Sequence, residues 1–287
     1  MKFDIVVGNP PYQDKDVGSK KKLWPDFIIK SSYILKDRGF LAIVCPPSWM
    51  SSGLLESKRK LYDLISKHAC VVNVDVSDAF PNAGTKASYF ILRNNVKTSF
   101  TKIINKKAHF TSNLSNLILI PLEINPFSLS ILDKVFSNKY SKLSFSVKAH
   151  AEVGTTKDRH SYAYSGYHGG LEVVNIPKES KNKLIKKVLI SRSGYPKIGY
   201  DDGQYCTTAS VLWTEVRDTH QGQSIMSMLN TVLFQKIIGK ICKYDGFNCQ
   251  ILCENLPKLD TSIIWSDDLI NKEFDLTKEE IDYIIKV

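Results

Sequence analysis

The stretch Phe3-Asp4-Ile5-Val6-Val7-Gly8-Asn9-Pro10-Pro11-Tyr12 joins a short apolar run to a rigid polar loop. The run over residues 3–7 has the length and composition of a buried strand. The two prolines lack the N–H groups that a strand needs, so the strand ends before them. The sequence therefore predicts a strand of a sheet, followed directly by a loop whose backbone directions are restricted by proline. We call residues 9–12 the Asn9 loop.

Beyond this loop, helical and strand patterns alternate. Pro25 suits a first helical turn, and apolar residues then recur on one face as far as Lys36, before Gly39 stops the helix. A continuous apolar run over 40–44 is typical of a strand covered on both faces. The predicted elements are a helix over 25–36, a strand over 40–44, a helix over 54–65 and strands over 70–76 and 88–93. This alternation predicts the α/β class.

The pattern becomes less regular after about residue 100, where Lys-, Ser- and Asn-rich segments alternate with short strands such as Lys187–Ser191. Thr277-Lys278-Glu279-Glu280 has the capping-box pattern that opens a helix. We therefore predict two domains, 1–120 with an α/β sheet and 121–287 with an irregular α+β fold.

Charge is distributed unevenly along the chain, whose net charge is +10. Residues 1–100 contribute +6, residues 101–200 contribute +10 and residues 201–287 contribute −6. A middle third this basic favours a surface that faces a polyanion, and a merely solvated basic face is the alternative. Basic side chains interleaved with tyrosines favour contact with nucleic acid. The candidates for this contact are Lys183, Lys186, Lys187, Arg192, Tyr195 and Lys197.

Several classes of protein are disfavoured by the composition. The six cysteines form no CxxC pair, which predicts packed thiols in a reducing cytoplasm rather than a disulfide framework. The histidines show no HxH or HxxxH spacing, so we expect no metal site. No apolar stretch reaches the roughly 18–20 residues of a membrane span, and Met1–Asp4 has no leader pattern. We therefore expect neither a transmembrane nor a secreted protein.

The residue types of the Asn9 loop suit one kind of chemistry. An exocyclic amine on a purine ring is a weak nucleophile because its lone pair is delocalised. Two acceptors aimed at its N–H groups release that lone pair for attack on an electrophilic methyl group. The Asn9 side-chain oxygen and the Pro10 carbonyl are two such acceptors, and proline restricts the direction of the carbonyl. Tyr12 offers a flat face on which an extruded base stacks.

These residues carry a family resemblance. Phe3–Tyr12 resembles motif IV of the amino-group DNA methyltransferases, in particular the adenine-N6 enzymes of Eco57I-type restriction-modification systems. Leu35–Trp49 is similar to the sequence segment that follows motif IV in that family, and Ala79–Leu92 resembles the family's motif VIII. The resemblance implies that Phe80 stacks on a flipped adenine opposite Tyr12.

The resemblance also implies a fold, a methyl donor and a substrate. Residues 1–120 would form the adenine-binding half of a doubly wound, Rossmann-like methyltransferase sheet, and residues 121–287 a target-recognition domain for double-stranded DNA. The donor would be S-adenosyl-L-methionine, with Asn9 as a partial contact. The implied catalytic residues are Asn9, Pro10, Pro11 and Tyr12.

The chain departs from the family in one respect. In that family the Gly-rich motif I (F-x-G-x-G) makes most of the contacts with the methyl donor. The glycines of this chain do not form this motif. A sheet without the cofactor strand leaves Ile5, Val6 and Val7 on an unpaired apolar edge. This predicts a split methyltransferase, a heterodimer in which a partner polypeptide carries motif I. Pairing of this edge with a second copy and a degenerate remnant are the alternatives.

Other functions remain open at this point. A non-catalytic DNA-binding or specificity subunit would use the Asn9 loop only as a base pocket. An RNA-adenine methyltransferase would use the same chemistry. A protein-glutamine methyltransferase faces the same problem with an amide nitrogen, although Phe80-Pro81 and the basic C-terminal region argue against it.

Overall fold

The structure is a computed structural model that describes residues 1–12, 22–51, 56–81, 86–106, 108–148, 150–153, 161–166, 170–243 and 250–287. The chain forms two compact units, Met1–Pro126 and Phe127–Val287. Part of the predicted second helix, including Leu54, lies outside the described residues, and so do residues 82–85 of the motif VIII resemblance.

In the described residues, the first unit is a six-stranded mixed sheet with two α-helices. Its elements are β1 (Phe3–Gly8), α1 (Trp24–Tyr33), β2 (Leu35–Cys45), α2 (Glu56–His68), β3 (Ala69–Asn73), β4 (Ser88–Arg93), β5 (Thr101–Asn105) and β6 (Ala108–Ser112), with 3-10 helices at Pro47–Met50 and Ser77–Ala79. The strand order is β1-β2-β4-β3-β5-β6. β1 runs parallel to β2, whereas β4 is antiparallel to both β2 and β3. The predicted α/β class is confirmed.

β1 lies at an edge of this sheet. Within the described residues, no strand pairs with its outer side. Ile5 and Val7 are 62% and 75% exposed, although both are apolar. The unpaired apolar edge that the sequence predicts is therefore present in the structure.

The boundary between α1 and β2 differs from the prediction. The helix was expected to continue to Lys36, but it ends three residues earlier, and β2 includes Lys36. The cause is pairing with β1, because the N–H of Phe3 donates to the carbonyl of Ile34 at 2.8 Å. Gly39 permits the close approach, since a Cβ at this position would lie 2.9 Å from the carbonyl oxygen of Asp4. Tertiary pairing overrides the local helical pattern here.

The second unit combines two small sheets with short helices. Its elements are α3 (Pro126–Val135), β7 (Ser161–Ser165), β8 (Glu172–Ile176), β9 (Lys187–Ser191), β10 (Ile198–Asp201), β11 (Cys206–Thr207), β12 (Val211–Glu215), α4 (Thr219–Asn230), α5 (Val232–Lys236), α6 (Gln250–Glu254), α7 (Asp267–Glu273) and α8 (Lys278–Lys286), with a π-helical turn at Ile237–Ile241. The sheets have the orders β10-β9-β12 and β11-β7-β8. The irregular α+β fold, the β9 strand and the capping box at Thr277 are confirmed.

Candidate active site and nucleic-acid surface

The Asn9 loop lies at the carboxyl edge of the sheet. β1 and β2 are parallel with Gly8 opposite Ile43, so the residues that follow both strands emerge at the same edge. Asn9 is exposed. No donor within the described part of the chain occupies its side-chain oxygen or the carbonyl of Pro10. Both acceptors are therefore available to a ligand at the end of β1.

Tyr12 and Cys45 lie close to each other at this edge. The pKa of the Tyr12 phenol is raised above its ordinary value, mainly by burial and to a smaller extent by Cys45. Burial also raises the pKa of the Cys45 thiol to about 12, although a hydrogen bond with Ser88 acts in the opposite direction. Both groups are therefore neutral at physiological pH. Cys45 lacks the thiolate character that a nucleophilic cysteine needs.

A hydrogen-bonded link joins the turn after β2 to the start of β4. The indole N–H of Trp49 donates to the Ser88 hydroxyl at 3.1 Å, and this hydroxyl donates to the Cys45 carbonyl at 2.9 Å. Trp49 also packs edge-on against Phe90, with ring centroids 5.9 Å apart. Because Trp49 and Ser88 are fully buried, this link holds the 3-10 helix after β2 in one position beside the Asn9 loop's edge.

Sequence reasoning missed Ser88 because its two partners are about 40 residues away along the chain. It also missed Ser48, whose buried hydroxyl has no hydrogen-bond partner among the residues that the structure describes. The signal for both was present in the Leu35–Trp49 and Ala79–Leu92 resemblances, which include these serines.

Phe80 follows β3 at the same edge of the sheet. Its N–H donates to the carbonyl of Ser77 at 2.9 Å, which closes the short helix before it. The carboxylate of Asp75 accepts from the N–H of Ser77 at 2.9 Å and lies 3.7 Å from Lys106. Burial acts to raise the pKa of Asp75, but the Ser77 hydrogen bonds and the Lys106 charge outweigh it, and the pKa is lowered. These contacts position the segment that carries Phe80.

The structure thus brings the Asn9 loop and Phe80 to one edge, on strands that are not neighbours. In the order β1-β2-β4-β3, three spacings separate the strand that precedes Asn9 from the strand that precedes Phe80. At about 4.8 Å for each spacing, these strand ends lie ~14 Å apart.

The predicted nucleic-acid residues cluster around the hairpin of β9 and β10. Arg192, Tyr195 and Lys197 occupy its turn, and Tyr195 and Lys197 are exposed. Arg192 donates to the carbonyl of Ala209 at 3.0 Å, which orients its guanidinium. The Tyr195 ring packs so closely on Gly239 that a Cβ there would lie 2.9 Å from it.

Two further candidates precede this hairpin. Lys186 is exposed, and Lys183 is half-buried and paired with Glu179. Lys186 therefore presents its charge to solvent, whereas that of Lys183 is partly neutralised within the chain.

For Lys187, the structure contradicts the prediction of a DNA contact. Its side chain is fully buried and forms an ion pair with Asp201, with Nζ and Oδ2 2.5 Å apart. The ammonium also donates to the carbonyls of Asn182 and Ile185, at 2.9 Å each. All its donors are directed inward, so Lys187 stabilises the sheet and does not reach a phosphate.

Within the described ranges, no three His, Cys, Asp or Glu side chains come together in a group that could hold a metal ion. In the same part of the chain, no helix is both long enough and apolar enough to cross a bilayer.

Comparison with known proteins identifies relatives among methyltransferases. Residues 1–80 match the model of the Eco57I restriction-modification methylase family. An uncharacterized adenine-specific methylase of Mycoplasma pneumoniae is 29% identical over 180 residues, which cover 56% of this chain and 41% of that protein. The predicted resemblance to the Eco57I-type methylases is confirmed over residues 1–80.

Two solved structures are also similar to this chain. The type IIL restriction-modification enzyme MmeI in complex with DNA has a TM-score of 0.49 at 8% identity, over 91% of this chain and 45% of that chain. The M protein of the type I restriction enzyme EcoKI has a TM-score of 0.31 at 15% identity, over 36% of this chain and 25% of that chain. The chain spans less than half the length of each of these relatives.

Proposed function

We propose, on the premise that residues 1–80 match the Eco57I-type methylases, that this chain is the adenine-binding component of a site-specific adenine-N6 DNA methyltransferase. One observation supports this most strongly. The Asn9 loop directly follows β1, and the acceptors of Asn9 and Pro10 are unoccupied by any donor in the described residues. Such acceptors at a sheet edge suit an amine substrate.

The proposed chemistry uses the Asn9 loop to activate a flipped adenine. The Asn9 side chain and the Pro10 carbonyl accept hydrogen bonds from the exocyclic amine and make its lone pair available. Pro10 and Pro11 restrict the loop, so these directions are preorganised. The half-buried ring of Tyr12 stacks on one face of the base and Phe80 on the other, which offsets the loss of stacking in the duplex.

Methyl transfer in this proposal needs no covalent enzyme intermediate. Cys45, which lies close to Tyr12, is held protonated because burial raises its pKa to about 12. The activated amine attacks the methyl group directly, in line with the departing sulfur. The role of this chain is to orient the base, exclude water and hold the amine.

The methyl donor in this proposal is S-adenosyl-L-methionine, whose sulfonium supplies the methyl group. The residues of this chain suit only part of its site, because none of the 287 residues form the Gly-rich motif. Within the described residues no strand pairs with the outer side of β1, and its Ile5 and Val7 side chains are exposed. We infer that a partner polypeptide adds this strand and most of the donor's contacts, and that the heterodimer acts in the cytoplasm.

The second unit, in this proposal, recognises double-stranded DNA. Arg192, Tyr195 and Lys197 lie in the turn of one hairpin, and Lys186 precedes it. Phosphate contacts from such side chains would hold the duplex while the target adenine flips. Residues 121–287 thus act as the target-recognition domain, and residues 1–120 as the adenine-binding half.

A reconstitution experiment tests the proposal. Transfer of tritiated methyl groups to duplex DNA would be measured with the chain alone and with the products of neighbouring genes. We expect transfer only with a partner, and a loss of about 100-fold or more in Asn9→Ala, because one of two charge-stabilising contacts is gone. Asn230→Ala, which changes an exposed asparagine in α4, is the matched control.

Further measurements on the same samples separate the rival functions. Isothermal titration with S-adenosyl-L-methionine would show binding by the chain alone if our assignment of the missing cofactor half is wrong. DNA binding without methyl transfer, with every neighbouring gene product added, would favour the non-catalytic specificity subunit. Preferential methylation of RNA or of a glutamine-containing peptide would reassign the substrate.

A further inference from the structure

A small cavity lies in the second unit, away from the β9–β10 hairpin in sequence. Its volume is about 260 Å³. Its walls come from the end of α3, the segment that follows it and the residues after α6. The lining residues are Val135, Phe136, Ser137, Asn138, Tyr140, Ser141, Lys142, Asn255 and Pro257. We call it the α3–α6 cavity.

Backbone hydrogen bonds hold the walls of this cavity together. The N–H of Lys258 donates to the carbonyl of Ser141 at 2.7 Å, and the N–H of Leu143 donates to the carbonyl of Leu256 at 2.9 Å. Lys142 and Pro257 form an antiparallel bridge between the same two segments. The cavity is therefore preformed and does not depend on a ligand to assemble it.

The lining includes six residues with polar side chains, and none of the lining residues carries a carboxylate: Ser137, Asn138, Tyr140, Ser141, Lys142 and Asn255. The Tyr140 hydroxyl and the Asn255 amide already donate within the chain, to Glu273 and to the carbonyl of Ile251. The hydroxyl of Ser137 is buried and has no hydrogen-bond partner among the described residues. A buried hydroxyl without a partner is unfavourable unless a ligand or water completes it. The lining therefore has unused capacity for a polar ligand.

The charge at this cavity is positive. The Nζ of Lys142 lies 2.5 Å from the Oδ1 of Asn255, which is neutral, and no carboxylate in the described residues pairs with it. Lys139 lies over the Tyr140 ring, with its Nζ 4.5 Å from the centroid. The nearby Glu273 carboxylate accepts from the Tyr140 hydroxyl at 2.8 Å. The ammonium of Lys142 thus has a neutral acceptor, the Asn255 side chain, in place of a counter-charge.

We propose that the α3–α6 cavity binds a backbone phosphate of duplex DNA. Hydroxyls, amides and a lysine are the groups that contact phosphate oxygens in protein–DNA complexes. At about 260 Å³ the cavity is below the ~300–1,000 Å³ typical of sites for whole small-molecule ligands, and it suits a phosphate with part of its sugar. This inference rests on the proposed function, and it adds an anchoring site separate in sequence from the hairpin residues.

Salt-dependent DNA binding tests this site through the charge of Lys142. In Lys142→Gln, we expect affinity for two unrelated duplexes to fall equally, by about fivefold to tenfold at low salt. The slope of log K against log salt should decrease by about 0.9, because one phosphate contact is lost. Lys286→Gln, an exposed lysine at the end of α8, should leave both quantities unchanged. Fluorescence anisotropy of labelled duplexes provides the measurement.

A second variant probes the buried hydroxyl. Ser137→Ala removes the hydroxyl that lines the cavity and should weaken DNA binding without lowering the thermal midpoint. Ser66→Ala is the matched control, since Ser66 also has a buried hydroxyl without a partner in the described residues. Its DNA affinity should equal that of the unmodified chain.

Nuclear magnetic resonance of the full chain distinguishes failure of this site from failure of the proposed function. Addition of inorganic phosphate or of a duplex should shift the amide signals of residues 137–142 and of the Asn255 side chain, and Lys142→Gln should abolish these shifts. DNA binding that leaves these signals and the salt slope unchanged would overturn the cavity assignment and retain the proposed function. Shifts with phosphate but no binding of any duplex would overturn DNA as the ligand along with the proposed function. No response to either probe would overturn both.

Discussion

Two strands of similar composition, β1 and β9, have opposite surroundings. β1 pairs on one side only within the described residues, and its Ile5 and Val7 side chains are largely exposed. β9 lies between β10 and β12, and every one of its residues is buried. An apolar strand that is covered stabilises its own unit, whereas one left bare is suited to pairing with another strand. β9 therefore has both of its neighbouring strands within this chain, whereas we propose that β1 receives its second neighbour from a partner.

The largest expected effect on stability concerns Lys187, the buried charged residue at the start of β9. Asp201→Asn should destabilise the chain by about 3–5 kcal/mol, because it leaves the buried ammonium of Lys187 without its counter-charge. The double variant with Lys187→Met should recover much of this loss. Urea unfolding provides the measurement, and Asp202→Asn, an exposed neighbour, is the control. If Asp201→Asn were as stable as Asp202→Asn, this would contradict the burial of the Lys187–Asp201 pair.

A matched pair of truncations compares the two strands directly. Ile190→Ala in β9 should cost about 2–5 kcal/mol of unfolding free energy, because it leaves a cavity in a fully buried position. Ile5→Ala in β1 should change stability by less than about 0.5 kcal/mol. In our proposal the Ile5 variant should instead weaken capture of the motif I partner, measured by co-purification. A large loss of stability in the isolated Ile5 variant would mean that this edge is already covered.

The link at the carboxyl edge gives an intermediate effect. Ser88→Ala should destabilise the chain by about 1–3 kcal/mol, because the buried indole N–H of Trp49 loses its acceptor. Trp49→Phe in the same background should then cost less than it does in the unmodified chain, because it removes the indole N–H that Ser88→Ala leaves without an acceptor. Thermal unfolding of the two single variants and the double variant gives the coupling energy. Full additivity would show that the two side chains do not act as a unit.

The smallest effect concerns the segment before Phe80 and its dependence on pH. The pKa of Asp75 is lowered in the folded chain, so its contribution to stability is present above the unfolded value of about 3.9 and is lost as pH falls through the folded value. The thermal midpoint of Asp75→Asn should therefore lie below that of the unmodified chain near neutral pH and converge with it as pH falls through the lowered folded pKa of Asp75. A difference that stays constant as pH falls from neutral until Asp75 is protonated would contradict this role.

Local patterns predicted those elements whose determinants are close together in sequence. The Asn9 loop follows its strand because two prolines end the pairing, and the helix α8 begins at a capping box of four residues. The end of α1 was predicted wrongly, because the pairing of β1 with β2 from Leu35 onward decides where the helix stops. The role of Lys187 was also predicted wrongly, since charge alone does not show that Asp201 lies beside it.

The residues of the candidate site also fall into those that the sequence identifies and those that only the structure reveals. Asn9, Tyr12 and Phe80 could be named from the sequence, because each lies within a recognisable motif. Ser88 could not, because its function as an acceptor for Trp49 depends on the position of β4 beside β2. The α3–α6 cavity was equally hidden, since its lining comes from two segments more than 100 residues apart.

The sequence by itself determined the α/β class, the loop at the end of β1, the capped C-terminal helix and the resemblance of residues 1–80 to a methylase family. Only the tertiary structure decided where the first helix ends, which lysine faces inward, and which distant segments line a cavity. The physical reason is that periodicity and turn chemistry act over a few residues, whereas burial depends on neighbours that are distant along the chain.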